Sequence, residues 1–285
     1  MYLPMLASPM KKGNVVNWTD WAIEEKYDGH RLIVYVGLNG TVTAYARPRG
    51  DGRMIERTLP DHLRNSLATL VPGVYDGELL GGDVSTDVSR LDLAKELRFV
   101  VFDLLELHGS TTCHQTYDDR HLTLHRIFAR MFGRPSWLSL ATPVNLTKEA
   151  DVKKFVERVW KAGGEGAILK RRAATYQAGK RSADWIKIKR VEHAALTVVG
   201  FQPSRGKVMG RGPFAIVVLK DEKGNETTCK TLNDFELKKF EQQAVKINWP
   251  HEHPAMGRKL VIEFFGRTRD GGYRGPVTWD RWEDE

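Results

Sequence analysis

Cysteine is scarce: the 285 residues contain two, Cys113 and Cys229. Two thiols form at most one disulfide and cannot supply a four-cysteine zinc module. A disulfide-stapled fold is thereby excluded and a reducing, intracellular setting is expected. Long hydrophobic runs are missing as well. No stretch approaches the ~20 apolar residues of a membrane span, and Met1 to Val16 lacks the continuous apolar core of a secretory leader, so no membrane association is expected. There is no internal repeat and no low-complexity tract, and the nine histidines show no metal-ligand spacing. Acids are outnumbered, 36 Asp and Glu against 44 Lys and Arg. What remains describes a globular chain long enough for one large domain or two ordinary ones.

The basic surplus is concentrated. Between 153 and 190 there are twelve lysines and arginines against three acids, which leaves the remainder of the chain close to neutral. Such a block suits a polyanion, a nucleotide triphosphate or a nucleic acid backbone. A solvated basic face is the other reading of the same charge run.

The periodicities describe mixed α and β structure. Arg31 to Val36 and Thr41 to Arg47 read as strands joined by Gly37-Leu38-Asn39-Gly40, where the Asn-Gly pair signals a hairpin. Arg98 to Leu105 reads as a buried strand. Asp119 to Phe132 reads as a helix with Leu124, Ile127, Phe128 and Met131 on one face. A second helix, capped by Thr147 and ended by Gly163-Gly164, carries Val152, Phe155, Val156, Val159 and Trp160 at helical spacing. The texture changes after about residue 192. Ala195 to Phe201, Phe214 to Lys220, Glu226 to Thr231 and Lys259 to Phe265 read as short strands, with one helix over Asp234 to Val245. That content suits a small barrel of the OB type. The glycine-rich loop Ser204 to Pro213, made basic by Arg205, Lys207 and Arg211, reads equally as a DNA contact or an ordinary hairpin.

Chemistry is concentrated in Glu25-Lys26-Tyr27-Asp28-Gly29-His30-Arg31. A free lysine holds its proton to about pH 10 and attacks only as the neutral amine. A glycine three residues on allows close backbone approach, and Arg31 can grip a phosphate. Five further segments follow in order: Tyr45-Ala46-Arg47-Pro48-Arg49-Gly50, Val74-Tyr75-Asp76-Gly77-Glu78-Leu79, Phe99-Val100-Val101-Phe102-Asp103, Glu165-Gly166-Ala167-Ile168-Leu169-Lys170 and Trp185-Ile186-Lys187-Ile188-Lys189. In kind and order the six resemble motifs I, Ia, III, IIIa, IV and V of the covalent nucleotidyltransferases, and among them the ATP-dependent DNA ligases.

That resemblance implies an α+β fold: a nucleotidyltransferase (adenylation) domain of antiparallel sheets with flanking helices over 1–192, then a small OB-fold barrel over 193–285. It implies Lys26 as the nucleophile that carries AMP from ATP, with Lys187 and Lys189 neutralising the phosphates. Alternation along a strand puts that lysine pair on one face, and Ile186 and Ile188 on the other. It further implies Glu165 as ligand of Mg²⁺, with Mn²⁺ as an alternative, and Glu78 at the ribose or a second metal. Phe102 or Phe99 would stack on adenine, and Glu24 would accept from the adenine amino group. Arg31 and Arg47 would hold the ribose edge or the 5′-phosphate of a nick. The C-terminus departs from the pattern. Arg281 is the candidate for the arginine of motif VI, and Glu285 stands where a lysine is usual. With about 25 residues before Lys26, a minimal two-domain ligase acting as a monomer on nicked duplex DNA is expected. The alternatives are an RNA ligase or capping guanylyltransferase of the same superfamily, and a non-catalytic nick- or end-binding protein.

Overall fold

The computed structural model describes residues 1–11, 13, 15, 17–47, 53–81, 97–131, 137–202, 216–230, 253–267, 271–273 and 277–283. The chain divides into two compact units, Met1–Lys189 and Arg190–Glu285. In the first unit the strands are β1 (Leu6–Pro9), β2 (Trp21–Lys26), β3 (His30–Val36), β4 (Val42–Ala46), β5 (Ile55–Arg57), β6 (Gly73–Leu80), β7 (Arg98–Leu107), β8 (Ser110–Thr111), β9 (Leu138–Leu140), β10 (Val144–Asn145), β11 (Gly166–Arg171) and β12 (Arg181–Lys189). Its helices are α1 (Asp61–Leu67), α2 (Tyr117–Ala129) and α3 (Glu149–Lys161). The second unit contributes β13 (Glu192–Gln202), β14 (Ile216–Lys220), β15 (Glu226–Lys230), β16 (Lys259–Phe264) and β17 (Thr278–Trp282).

The first unit is layered. One sheet runs β1-β12-β11-β2-β10 and the other β5-β4-β3-β6-β7-β8, with β9 beside β7. The apolar stripe of α3, Val152, Phe155, Val156 and Val159, packs on Trp21, Ile23, Ala167, Leu169 and Ile186 of the first sheet. Helices α1 and α2 cover the outer face of the second sheet through Leu63, Leu67, Leu124, Ile127 and Phe128. A third apolar layer, including Met5, Ile33, Val74, Val100, Phe102 and Trp185, lies between the two sheets. Each such buried aliphatic or aromatic side chain contributes roughly 1.5–3 kcal/mol. This layer gives way at one end to a cleft.

Several local expectations are corrected. The sheets are mixed: β1 runs parallel to β12 and β9 parallel to β7. Helix α2 starts at Tyr117, because Thr116 caps it by accepting from Asp119 N–H at 3.2 Å. Thr147 does not cap α3 by accepting. The carboxylate of Asp151 reaches back and takes the Thr147 hydroxyl at 2.7 Å, the Thr147 N–H at 2.9 Å and the Lys148 N–H at 3.1 Å. The hairpin at Gly37–Gly40 forms as its sequence suggests, with Gly37 and Thr41 bonded at 2.8 Å and Gly40 at φ +77°.

In the second unit β13-β14-β15-β17-β16 closes into a barrel. Leu196, Val198, Val217, Leu219, Leu260, Ile262 and Phe264 fill it from alternating positions. Strand β17 was not among the four strands read from the sequence, and its pairing with β15 is parallel. The helix expected over Asp234 to Val245 and the loop Ser204 to Pro213 lie outside the described residues. Among the described residues, no helix is long and apolar enough to cross a membrane.

Candidate active site

Three strands build one wall of the cleft. Antiparallel pairing of β2 with β11, and of β11 with β12, sets side chains in cross-strand rows: Lys26–Gly166–Lys189, Glu24–Ile168–Lys187 and Ala22–Lys170–Trp185. The residues between them turn to α3, so the alternation of Trp185-Ile186-Lys187-Ile188-Lys189 is obeyed. Gly166 is indispensable in the first row. Its φ is +153°, and a Cβ there would stand 2.0 Å from the Ile188 carbonyl oxygen. Glu165, just before it, lifts its carboxylate between the two flanking lysines. One oxygen takes Lys26 Nζ and the other Lys189 Nζ, in a position where all three side chains are mostly screened from water. Lys187 stands on the same wall. Burial, then the neighbouring charges of Lys189, Arg181 and Lys26, hold its ammonium below the ordinary lysine value.

The second sheet supplies the facing wall. Arg31 on β3 makes a two-pronged pair with Asp76 on β6, Nε at 2.6 Å and Nη2 at 2.5 Å, and Asp76 also accepts the Tyr176 hydroxyl at 2.6 Å. The Arg31 guanidinium lies 4.8 Å from the ring centroid of Phe102. Glu78 accepts the Gly29 N–H at 3.2 Å. Gly29 is itself pressed on β6: a Cβ would lie 2.2 Å from the Leu79 carbonyl oxygen. Desolvation raises the Glu78 carboxyl to about 7 against the pull of Arg31 and Lys26.

Phe102 reaches the cleft side by strand alternation, on the face of Val100, and a bulge falls at the same residue. Gly77 pairs with Val101 and Asp76 with Asp103, so Phe102 is the extra residue on β7. Phe99, three residues earlier, faces the opposite way into the layer under α1 and α2. Of the two phenylalanines, therefore, only Phe102 lines the cleft.

The cleft has a volume of about 560 Å³. Glu24, Lys26, Arg31, Arg47, Glu78, Phe102, Lys187 and Lys189 all line it, and Glu165 joins them through its lysine pairs. Arg281 belongs to the second unit, on β17, where it pairs with Asp280. Arg49 lies outside the described residues.

Other residues of the site carried no role in the sequence reading. Lys170 is 1% exposed. Its Nζ pairs with Glu24 at 2.8 Å, donates to the Phe102 carbonyl at 2.9 Å and lies 4.5 Å from the ring centroid of Trp185. The other Glu24 oxygen accepts the Tyr117 hydroxyl. Each carboxylate oxygen has two acceptor sites, so these bonds orient Glu24 and leave it able to accept from a ligand. The available signal was parity: Lys170 falls on the face of Gly166 and Ile168. Trp185 and Arg57 also line the cleft, and their Nε1 and Nε donors are buried with no hydrogen-bond partner among the described residues.

A strand-end lysine beside further cations, with a bridging carboxylate and an aromatic ring, makes a cation-lined cleft whose charge suits phosphate. Residues 4–189 match the family described as ATP dependent DNA ligase domain, and the chain belongs to that family. It is 27% identical over 216 residues to the bifunctional non-homologous end joining protein LigD of Bacillus subtilis, covering 66% of this chain and 34% of that one. It is 29% identical over 209 residues to a probable DNA ligase of Streptomyces coelicolor, covering 67% and 39%. The chain thus spans little more than a third of the length of these relatives. A solved Lig E DNA ligase superposes with a TM-score of 0.72 at 20% identity, covering 99% of this chain and 100% of that one, a likeness of fold. None of these likenesses favours the RNA ligase, capping or non-catalytic alternatives.

Proposed function

We propose that this protein is an ATP-dependent DNA ligase that seals nicks bearing a 5′-phosphate and a 3′-hydroxyl. The observation that carries the reading is the meeting of Lys26, Glu165 and Lys189 at one end of a cleft lined by Lys187 and Phe102. In the first step the neutral Lys26 amine attacks the α-phosphorus of ATP. An N–P bond forms, the bond to pyrophosphate breaks, and AMP remains on Lys26. In the second, an oxygen of the nick 5′-phosphate attacks the same phosphorus and frees the lysine. In the third, the 3′-hydroxyl attacks the 5′-phosphorus, the strand is joined and AMP leaves.

Phosphoryl transfer of this kind depends on position and neutralised charge. Lys187 and Lys189 supply cations beside Lys26, and Phe102 offers its ring to adenine. Glu24, oriented by Lys170 and Tyr117, accepts from the adenine amino group. Arg31 and Arg47 hold the ribose edge or the nick phosphate. Glu165, with Glu78 as second carboxylate, offers oxygen donors of the sort that Mg²⁺ or Mn²⁺ takes. Such an ion, when bound, supplies further neutralisation of phosphate charge.

In this reading residues 1–192 are the adenylation domain and 193–285 an OB-fold domain, an assignment supported by the closed five-stranded barrel. The enzyme acts as a monomer on nicked duplex, and Arg281 contacts the pyrophosphate. The test is a duplex with one labelled, 5′-phosphorylated nick, incubated with protein, Mg²⁺ and ATP. A joined strand that is absent with Lys26→Ala is expected. Failure to join with ATP, alongside covalent labelling by GTP, would replace this reading with a capping one.

A further inference from the structure

Metal-ligand spacing is absent from the histidines in sequence, yet the barrel gathers ligands from three strands. His193 on β13 stands directly across from Glu263 on β16. Both project from the outer wall, since Ala194, Leu196, Ile262 and Phe264 take the inward positions. Asp280 joins them because β17 is irregular there: Arg281 pairs with Val261 and Trp279 with Ile262, so Asp280 is the extra residue. The bulge turns its carboxylate toward the other two. His193 Nε2 lies 3.4 Å from Glu263 Oε1 and 3.8 Å from Asp280 Oδ2, and all three ligand atoms fall within 4.8 Å of one another.

We propose that His193, Glu263 and Asp280 form a binding site for one borderline transition ion of the Zn²⁺ type. One imidazole and two carboxylates match the ligand preferences of Zn²⁺ and Co²⁺ more than those of Mg²⁺. Ligands at ~2.0–2.2 Å around a tetrahedral ion stand roughly 3.3–3.6 Å from each other, so the two histidine distances are already near the required geometry. The side chains of His193, Glu263 and Asp280 are 49%, 44% and 25% exposed, so the small contraction needed is unobstructed. A water completes the coordination. Arg281 donates to the same Asp280 oxygen that faces His193 and competes with the ion for it. The site lies wholly in the second unit.

The test is titration of the full-length protein with Co²⁺, without ATP or Mg²⁺, followed by visible absorption and then by displacement with Zn²⁺. One saturable equivalent with the absorption of a tetrahedral site, displaced by one equivalent of Zn²⁺, is expected. Affinity should fall at least tenfold in His193→Ala and in Asp280→Asn, and should persist in Glu165→Gln. Absence of a saturable band overturns the proposal. So does equal affinity in His193→Ala, or a band that Glu165→Gln removes. The readout is the ion itself, so its failure leaves the nick-sealing reading untouched.

Discussion

A lysine ammonium buried as deeply as Lys170 persists only where its charge is answered. Here Glu24, the Phe102 carbonyl and aromatic faces answer it. Removing one partner of a buried pair leaves an uncompensated charge, at a cost of about 3–5 kcal/mol. Lys170→Met should therefore destabilise the first unit by that amount in urea unfolding, and adding Glu24→Gln should restore part of the loss. A single-variant cost below ~1 kcal/mol would contradict this account of the pair. Glu78 makes a pH prediction. Its folded carboxyl is raised from 4.5 to about 7, so the stability of its neutral form is complete below the ordinary carboxylate value and is lost as pH rises through about 7. Glu78→Gln should gain stability relative to wild type between pH 5 and 8, by about 1 kcal/mol after screening. Melting temperatures that run parallel across that range would refute it.

Sheet register separates what the sequence reveals from what it hides. The Gly37–Gly40 hairpin and the two helical stripes are legible because their causes are local. The paired orientation of Lys187 and Lys189 follows from alternation alone. Glu165 between Lys26 and Lys189 is not legible, because it depends on how β2, β11 and β12 are aligned across distant segments. Alternation puts Phe102 and Phe99 on opposite faces of β7, but which face lines the cleft depends on how the two sheets stack, and that leaves no mark in composition. The same holds for Asp280, brought beside His193 by a bulge in a strand that the sequence did not announce. The two faces of β7 should respond differently to truncation. Phe102→Ala should raise KM for ATP about tenfold or more, given stacking of ~1–3 kcal/mol per base. Phe99→Ala should cost about 3–5 kcal/mol in unfolding and leave the KM of the folded enzyme near wild type. The opposite pattern in steady-state adenylation and denaturation would reverse the assignment.

Over the whole molecule, charge distribution matters more than any single contact. Twelve lysines and arginines against three acids between 153 and 190 account for the net +8, and Lys170, Arg181, Lys187 and Lys189 among them line the cleft. DNA gripped chiefly by its phosphates releases counterions, so affinity for a nicked duplex should fall at least tenfold between 50 and 200 mM salt and vary little with sequence. A binding constant indifferent to salt would exclude phosphate contacts as the main grip. The central claim, that Lys26 is the nucleophile of a covalent nucleotidyl transfer, has a more direct test. Intact-protein mass spectrometry after incubation with ATP and Mg²⁺, followed by peptide mapping, should find one AMP per chain on Lys26. Once free ATP is removed, that adduct should disappear when phosphorylated nicked duplex is added. An adduct on another residue, or none under conditions in which nicks are joined, would contradict the account.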